Sequence, residues 1–119
     1  MSTRLTPEVR ALRTMTEAAW QRTVEGIATA NGWLIFHAPA NRPVIAKSGA
    51  RYVQNIRAGF PDLVAVRGKR LLFAELKREG PQGVVSQAQA DWMTALGETA
   101  AEVYLWTPSD LPTVREVLR

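Results

Sequence analysis

Three residues of this 119-residue chain combine types and spacing suited to phosphodiester chemistry: Asp62, Glu75 and Lys77. Asp62-Leu-Val-Ala-Val-Arg67 and Arg70-Leu-Leu-Phe-Ala-Glu-Leu-Lys77 both read as strands. Only Gly68-Lys69 separates them, and a two-residue loop with Gly first suits a type II′ hairpin. Arg67 then pairs with Arg70, and counting five positions back along each strand brings Asp62 opposite Glu75. Directly opposed residues have Cβ atoms roughly 4.5–5.5 Å apart, so the carboxylates repel unless something positive sits between them. A divalent cation meets that need. Hard oxygen ligands in a chain with no cysteine and one histidine favour Mg²⁺ or Mn²⁺ over zinc. Lys77 shares a strand face with Glu75. The row Leu71, Phe73, Glu75, Lys77 is predicted to face the core, with its charges ending an apolar stripe. The bland alternative is a surface ion pair of Lys77 with one of the acids. The chemical reading is phosphodiester hydrolysis: a metal acidifies water and neutralises charge on the phosphate, and Lys77 orients the attacking water or stabilises developing negative charge. The Gly-Lys-Ser/Thr type of phosphate loop is absent.

These residues need a scaffold. Thr6-Pro7-Glu8 reads as a helix start, and Thr14-Met-Thr-Glu17 as a capping box opening either a second helix or the continuation of one long helix. Trp20, Val24, Ile27 and Ala28 recur at helical spacing, and Asn31-Gly32 ends the element. Trp33–His37 reads as a strand. Residues 38–60 form a long basic loop with some strand near Arg51 to Ile56; a loop of this length is usually functional. After the hairpin, Ser86 starts a helix that ends near Gly97, Ala101–Trp106 is a strand, and a short helix reaches Leu118. A helix between the hairpin and the last strand requires a crossover, so the fold class is α/β, a mixed central sheet flanked by helices. Residues 1–119 are read as a single domain, with residues 1–15 as an N-terminal extension. Trp20, Trp33, Trp92 and Trp106 are assigned to the core, and His37 to a structural role.

The net charge is +4 and the pI about 10.1, which favours acidic partners, nucleic acid first. Between Ala38 and Pro61 lie Arg42, Lys47, Arg51 and Arg57 with no acid. Together with Tyr52 these are the candidate nucleic-acid contacts, against the alternative of a solvated loop. Without cysteine there are no disulfides. No signal-peptide core and no apolar run near the ~20 residues of a membrane span is present, so a cytoplasmic, intracellular location is expected.

Gly59-Phe60-Pro61-Asp62, twelve residues, then Glu75-Leu76-Lys77 resembles the signature of the PD-(D/E)XK nuclease superfamily. More closely, the chain resembles the VRR-NUC domain family from about Thr16 to Trp106. The likeness rests on Glu17-Ala-Ala-Trp-Gln21, Gly59-Phe-Pro-Asp62, Ala74-Glu-Leu-Lys77 and Ser86-Gln-Ala-Gln89-Ala-Asp-Trp92. It implies a restriction-endonuclease-like fold and a metal-dependent nuclease with Asp62 and Glu75 as metal ligands and Lys77 as the catalytic lysine. It adds Glu17 to the metal site, Gln89 close beside it, and Gln21 orienting Glu17 or the lysine. Glu17 and Gln89 also have capping readings, in boxes begun by Thr14 and Ser86. Helix phase puts Glu17 on the face of Trp20, Gln21, Val24 and Ala28, with Glu25 to its side. Small stand-alone, phage-type members resemble Holliday-junction resolvases. The implied partner is DNA, branched DNA included, and the implied assembly a homodimer, with Thr6 to Met15 (Val9, Leu12) as a possible contact. A monomeric single-strand or flap nuclease, a non-cutting nucleic-acid-binding module and an RNA nuclease are the alternatives.

Overall fold

Two threonines divide the start of the chain into two helices. The hydroxyl of Thr6 accepts from the Val9 backbone N–H and opens α1 (Pro7–Thr14), and that of Thr16 accepts from Ala19 and opens α2 (Glu17–Ala30). Met15 between them is extended, at φ −64° and ψ 132°. The expected capping box of Thr14 with Glu17 is therefore not formed. Thr14 closes α1, donating its hydroxyl to the carbonyls of Arg10 and Ala11. Thr16 takes the cap, which puts Glu17 at the first helical position instead of the third.

The computed structural model describes residues 6–38, 43–45, 47–49, 51–53, 58–81 and 83–119. After α2 come strands β1 (Leu34–His37), β2 (Pro43–Ile45), β3 (Arg51–Val53), β4 (Leu63–Arg67) and β5 (Arg70–Leu76). Helix α3 (Gln87–Gly97), strand β6 (Glu102–Trp106), a 3-10 turn (Pro108–Asp110) and helix α4 (Leu111–Leu118) complete the chain. The main sheet has the order β1-β4-β5-β6. Its first two pairings are antiparallel, and β5 with β6 is parallel, joined through α3. The protein is thus α/β, a four-stranded mixed sheet flanked by helices. The long basic loop holds a small antiparallel pair of its own, β2 with β3, where only strand near Arg51 was expected.

The hairpin has the register read from its two-residue loop: Arg67 faces Arg70 and Leu63 faces Ala74. Gly68 takes the first turn position at φ +60°, a conformation Gly adopts without a Cβ penalty. Turn chemistry therefore sets which residues meet four positions down the ladder, about 14 Å away at about 3.4 Å per residue.

The fully buried row of β5 is Leu72, Ala74 and Leu76, one residue out of step with the predicted core row. These side chains join Leu63 and Ala65 of β4 and pack beneath Trp20, Val24 and Ala28 of α2 and Val114 and Leu118 of α4. The row Leu71, Phe73, Glu75, Lys77 points to the opposite face. Two buried tryptophans fix the helices by hydrogen bonds: Trp20 Nε1 donates to the Trp106 carbonyl at 3.0 Å, and Trp33 Nε1 to the Leu118 carbonyl at 2.8 Å. The Arg67 and Arg70 guanidinium groups lie over the Trp33 ring, 4.7 and 4.8 Å from its centre. Trp92, assigned to the core with the other tryptophans, is instead half-buried on α3 against Phe60. No helix among the described residues is long and apolar enough to cross a membrane.

Candidate active site

Strand ends and one helix bring four of the sequence-predicted residues together. Asp62 sits immediately before β4, and Glu75 is the penultimate residue of β5. Asp62 Oδ2 accepts from the Leu76 backbone N–H at 2.9 Å, which carries the hairpin pairing one step past the ladder and fixes the carboxylate beside Glu75. Lys77 follows the strand, and its own N–H donates to the Trp106 carbonyl at 3.0 Å. That carbonyl also receives Trp20, so α2 is anchored to the same end of the sheet.

Glu75 is 1% exposed and is the one buried charged residue among the described residues. Its Oε1 accepts from Gln89 Nε2 at 2.8 Å and lies 3.5 Å from Lys77 Nζ. Its Oε2 is buried with no hydrogen-bond partner. Burial first, and then the neighbouring Asp62 carboxylate, push the Glu75 carboxyl up to about 8, with Lys77 opposing the shift. Drawn as carboxylates, the two acids turn only acceptors toward each other. Without a cation, a proton on Glu75 supplies the missing donor. A buried carboxylate oxygen without a donor, beside a second carboxylate, is the chemistry a small divalent cation satisfies. On this ground the residues present fit one.

Gln89 is held by α3. Ser86 caps that helix: its hydroxyl accepts from the Gln89 backbone, and Gln89 Oε1 accepts from the Ser86 N–H at 2.9 Å. The capping box is the alternative reading of Gln89 in the sequence; the side chain forms it and also hydrogen-bonds Glu75. Upstream, the Trp92 indole donates to the Ala58 carbonyl at 3.2 Å, and Phe60 packs edge-on against Trp92 and Phe73. Gly59 between them has φ +85°, and a Cβ there would collide with the backbone of Ala88 and lie 2.6 Å from the Gln89 nitrogen. Sequence reasoning used Gly59 as part of a motif and missed this packing role, for which a Gly directly before Phe-Pro-Asp was the available signal.

Other predicted residues are placed differently. Glu17 is exposed, and no group of three or more His, Cys, Asp or Glu poised to hold a metal occurs among the described residues. The expected three-acid cluster is therefore not assembled: α2 starts at Glu17, so its carboxylate stands at the solvent end of the helix. Gln21 reaches neither Glu17 nor Lys77. It contacts the His37 ring and Glu25 Oε1, and Glu25 lies 3.6 Å from His37 Nδ1. His37 pairs with Leu63 across β1 and β4, and Ala38 N–H bonds the Asp62 carbonyl, so this polar group borders the acid pair. In the basic loop Lys47 is exposed. Arg42 and Arg57, and the side chains of Arg51 and Tyr52, lie outside the described residues.

Compared with protein-family models, with curated proteins and with solved structures, the chain matches none.

Proposed function

We propose that the chain is a metal-dependent nuclease, a hydrolase of DNA phosphodiester bonds on a PD-(D/E)XK, restriction-endonuclease-like fold of VRR-NUC type. One observation carries the reading: Glu75, buried and pressed against Asp62, keeps an oxygen with no donor while Lys77 and Gln89 hold the other. A structural ion pair has no use for two opposed carboxylates, and burying Glu75 beside Asp62 without a cation costs stability. Asp62 and the free oxygen of Glu75 would hold Mg²⁺ or Mn²⁺, which supplies positive charge at the phosphate and an acidified water.

The chain's own residues do the rest. The Leu76 N–H fixes one oxygen of Asp62, leaving the carboxylate oriented before substrate arrives. Gln89 and Lys77 hold Glu75 Oε1, so the unpartnered oxygen is the one presented. Lys77, part-exposed beside the acids, positions the attacking water or takes up charge on the phosphate. Lys47 and the basic segment around it supply phosphate contacts for binding that selects DNA structure over base sequence, as in a Holliday-junction-resolvase-like endonuclease.

The test is cleavage of a panel of linear, flapped, single-stranded and four-way branched DNA, and of RNA, with Mg²⁺, Mn²⁺ or chelator. Metal-dependent cleavage of any substrate, lost in Asp62→Ala and Glu75→Ala, is the expected result. Binding without cutting on every substrate would replace the nuclease with a nucleic-acid-binding module of the same fold.

A further inference from the structure

The sheet face that carries Glu75 holds a row of aromatic side chains, and one end of the row is bare. Phe73 of β5 lies edge-on to Phe60, 6.1 Å between ring centres, and Phe60 in turn lies edge-on to Trp92. The register continues the row outward: Phe73 faces Val64 of β4, and Val64 faces Phe36 of the edge strand β1. Paired residues share a face and side chains alternate along a strand, so Phe36 points to the same side as Phe73 and Glu75. Phe36 is 58% exposed, and Leu34, two residues along the same face, is 77% exposed. With strands about 4.8 Å apart and about 3.4 Å of rise per residue, Phe36 stands roughly 12 Å from Glu75 along the sheet.

Two features bear on what covers this ring. One is the acid pair on the same face, where a polymer held for cutting lies over the strand ends. The other is charge. The segment that follows β1 in the chain carries Arg42, Lys47, Arg51 and Arg57 between residues 38 and 61 and no acid, and Lys47 is exposed. A bare aromatic ring followed by a run of cations suits a ligand with flat apolar rings on an anionic backbone. We propose that Phe36 is a stacking platform for an unpaired base of the DNA strand that reaches the acid pair, with Leu34 as apolar surface beside it. Bases stack on such rings whatever their identity, while the phosphates meet the cations. Paired bases keep both faces inside the duplex stack and offer Phe36 none, so the platform selects an unpaired segment next to the cut, as in a single strand, a flap or an opened branch. An aliphatic protein surface would cover Leu34 and Phe36 equally well, but would not account for the run of cations. The inference rests on the proposed function of the acid site and names the part of the substrate that this site accepts.

Fluorescence anisotropy in chelator, where no strand is cut, tests it on a single strand, on the matching blunt duplex and on that duplex with a single-stranded flap. The full chain is expected to bind the single strand and the flap more tightly than the blunt duplex. Phe36→Ala should weaken the first two by about 5-fold or more, the loss of one base–aromatic stack, and leave the duplex unchanged. The slope of log affinity against log salt should stay as in the parent, since no phosphate contact is removed. Phe36→Trp should restore the affinity, because it keeps a ring to stack on. Circular dichroism checks that Phe36→Ala folds. If it does not, the parent decides: ultraviolet irradiation with a single strand carrying 5-iodouracil should attach that strand to Phe36, read by mass spectrometry. A parent that binds no single strand, equal single-strand affinity of Phe36→Ala and the parent, an equal loss on the duplex, or cross-links only elsewhere would overturn the platform. Cleavage of the same DNAs with Mg²⁺ reports on the acid site separately. Cutting with no effect of Phe36 would remove the platform and keep the nuclease, and stacking without cutting would do the reverse.

Discussion

Gln89 grips Glu75 with one end of its amide and its own helix start with the other. Nε2 donates to Glu75 Oε1 at 2.8 Å while Oε1 accepts from the Ser86 N–H at 2.9 Å. The cap thus aims the amide, and the amide selects which oxygen of Glu75 is left without a partner. Site geometry and helix stability share one side chain, which makes them separable by comparison with Ser86.

Ser86→Ala should cost about 1 kcal/mol of stability through the lost cap and leave most of the cleavage rate intact. Gln89→Ala should cost a similar amount and also lower the rate, by about 10-fold or more, because Glu75 Oε1 keeps only Lys77. Thermal melts and single-turnover cleavage, run in parallel, check the split. Equal loss of rate in both variants would reduce Gln89 to a cap.

Removing the acids or the lysine should be more severe. Asp62→Ala, Glu75→Ala and Lys77→Ala are each expected to lower cleavage by about 1,000-fold or more, as loss of a group acting on the reacting phosphate does. The first two should change metal-free stability less than an ordinary core truncation, because relief of the repulsion between buried Glu75 and half-buried Asp62 offsets the loss of the Leu76 N–H or Gln89 hydrogen bond. Lys77→Arg should recover little, because a planar guanidinium does not replace a point charge on a short reach.

How much of this was legible without coordinates follows from which residues carry local information. The Gly68-Lys69 loop dictates register, so the opposition of Asp62 and Glu75 could be counted along the chain. The caps at Thr6 and Ser86 and the crossover through α3 were equally local. Which face of β5 is buried was not: both rows of that strand are mostly apolar, and only the packing of α2 and α4 decides for Leu72, Ala74 and Leu76. Thr14 and Thr16 both look like caps in sequence, and the choice between them shifted Glu17 to the first helical position. The contacts of Gln21 with His37 and Glu25 join α2 to β1, a pairing with no local signal.

Metal-free stability should depend on pH with a definite sign. The Glu75 carboxyl is raised from 4.5 to about 8 by burial and Asp62. A raised acid binds a proton in the folded state that the unfolded chain has already released, so stability falls as pH rises between these values and levels off above about 8. The shift corresponds to about 5 kcal/mol at most, at 1.36 kcal/mol per unit. Denaturation in chelator from pH 5 to 8 should show this decline, and Glu75→Gln should flatten it. Mn²⁺ should reverse it, because the cation replaces the proton and binds better as pH rises.

Salt dependence tests the basic loop. Neutralising Arg42, Lys47, Arg51 and Arg57 together should weaken DNA binding and reduce the slope of log affinity against log salt by about one unit per lost phosphate contact. Fluorescence anisotropy on a catalytically dead Glu75→Ala background isolates binding from cleavage. An unchanged slope would return the loop to a solvated surface.

Gly59 should prove the least replaceable residue outside the acid cluster. Its φ of +85° strains any side chain, and the space a Cβ needs is taken by the backbone of Ala88 and Gln89. Gly59→Ala must therefore push α3 outward, and the indole of Trp92, which donates to the neighbouring Ala58 carbonyl, moves with it. The displacement is directed at the N-terminal turn of α3, which carries Gln89, so the hydrogen bond to Glu75 should lengthen or break. The expected cost is about 3 kcal/mol in stability, from overpacking and backbone strain together. Cleavage should fall at least as far as in Gln89→Ala. Trp92→Phe separates the two effects, since it removes only the indole hydrogen bond and keeps the edge-on contact with Phe60. It should cost about 1 kcal/mol and leave the rate nearly unchanged. If Gly59→Ala melts and cuts like the parent, α3 is not held by this close approach, and Gln89 owes its position to the Ser86 cap alone.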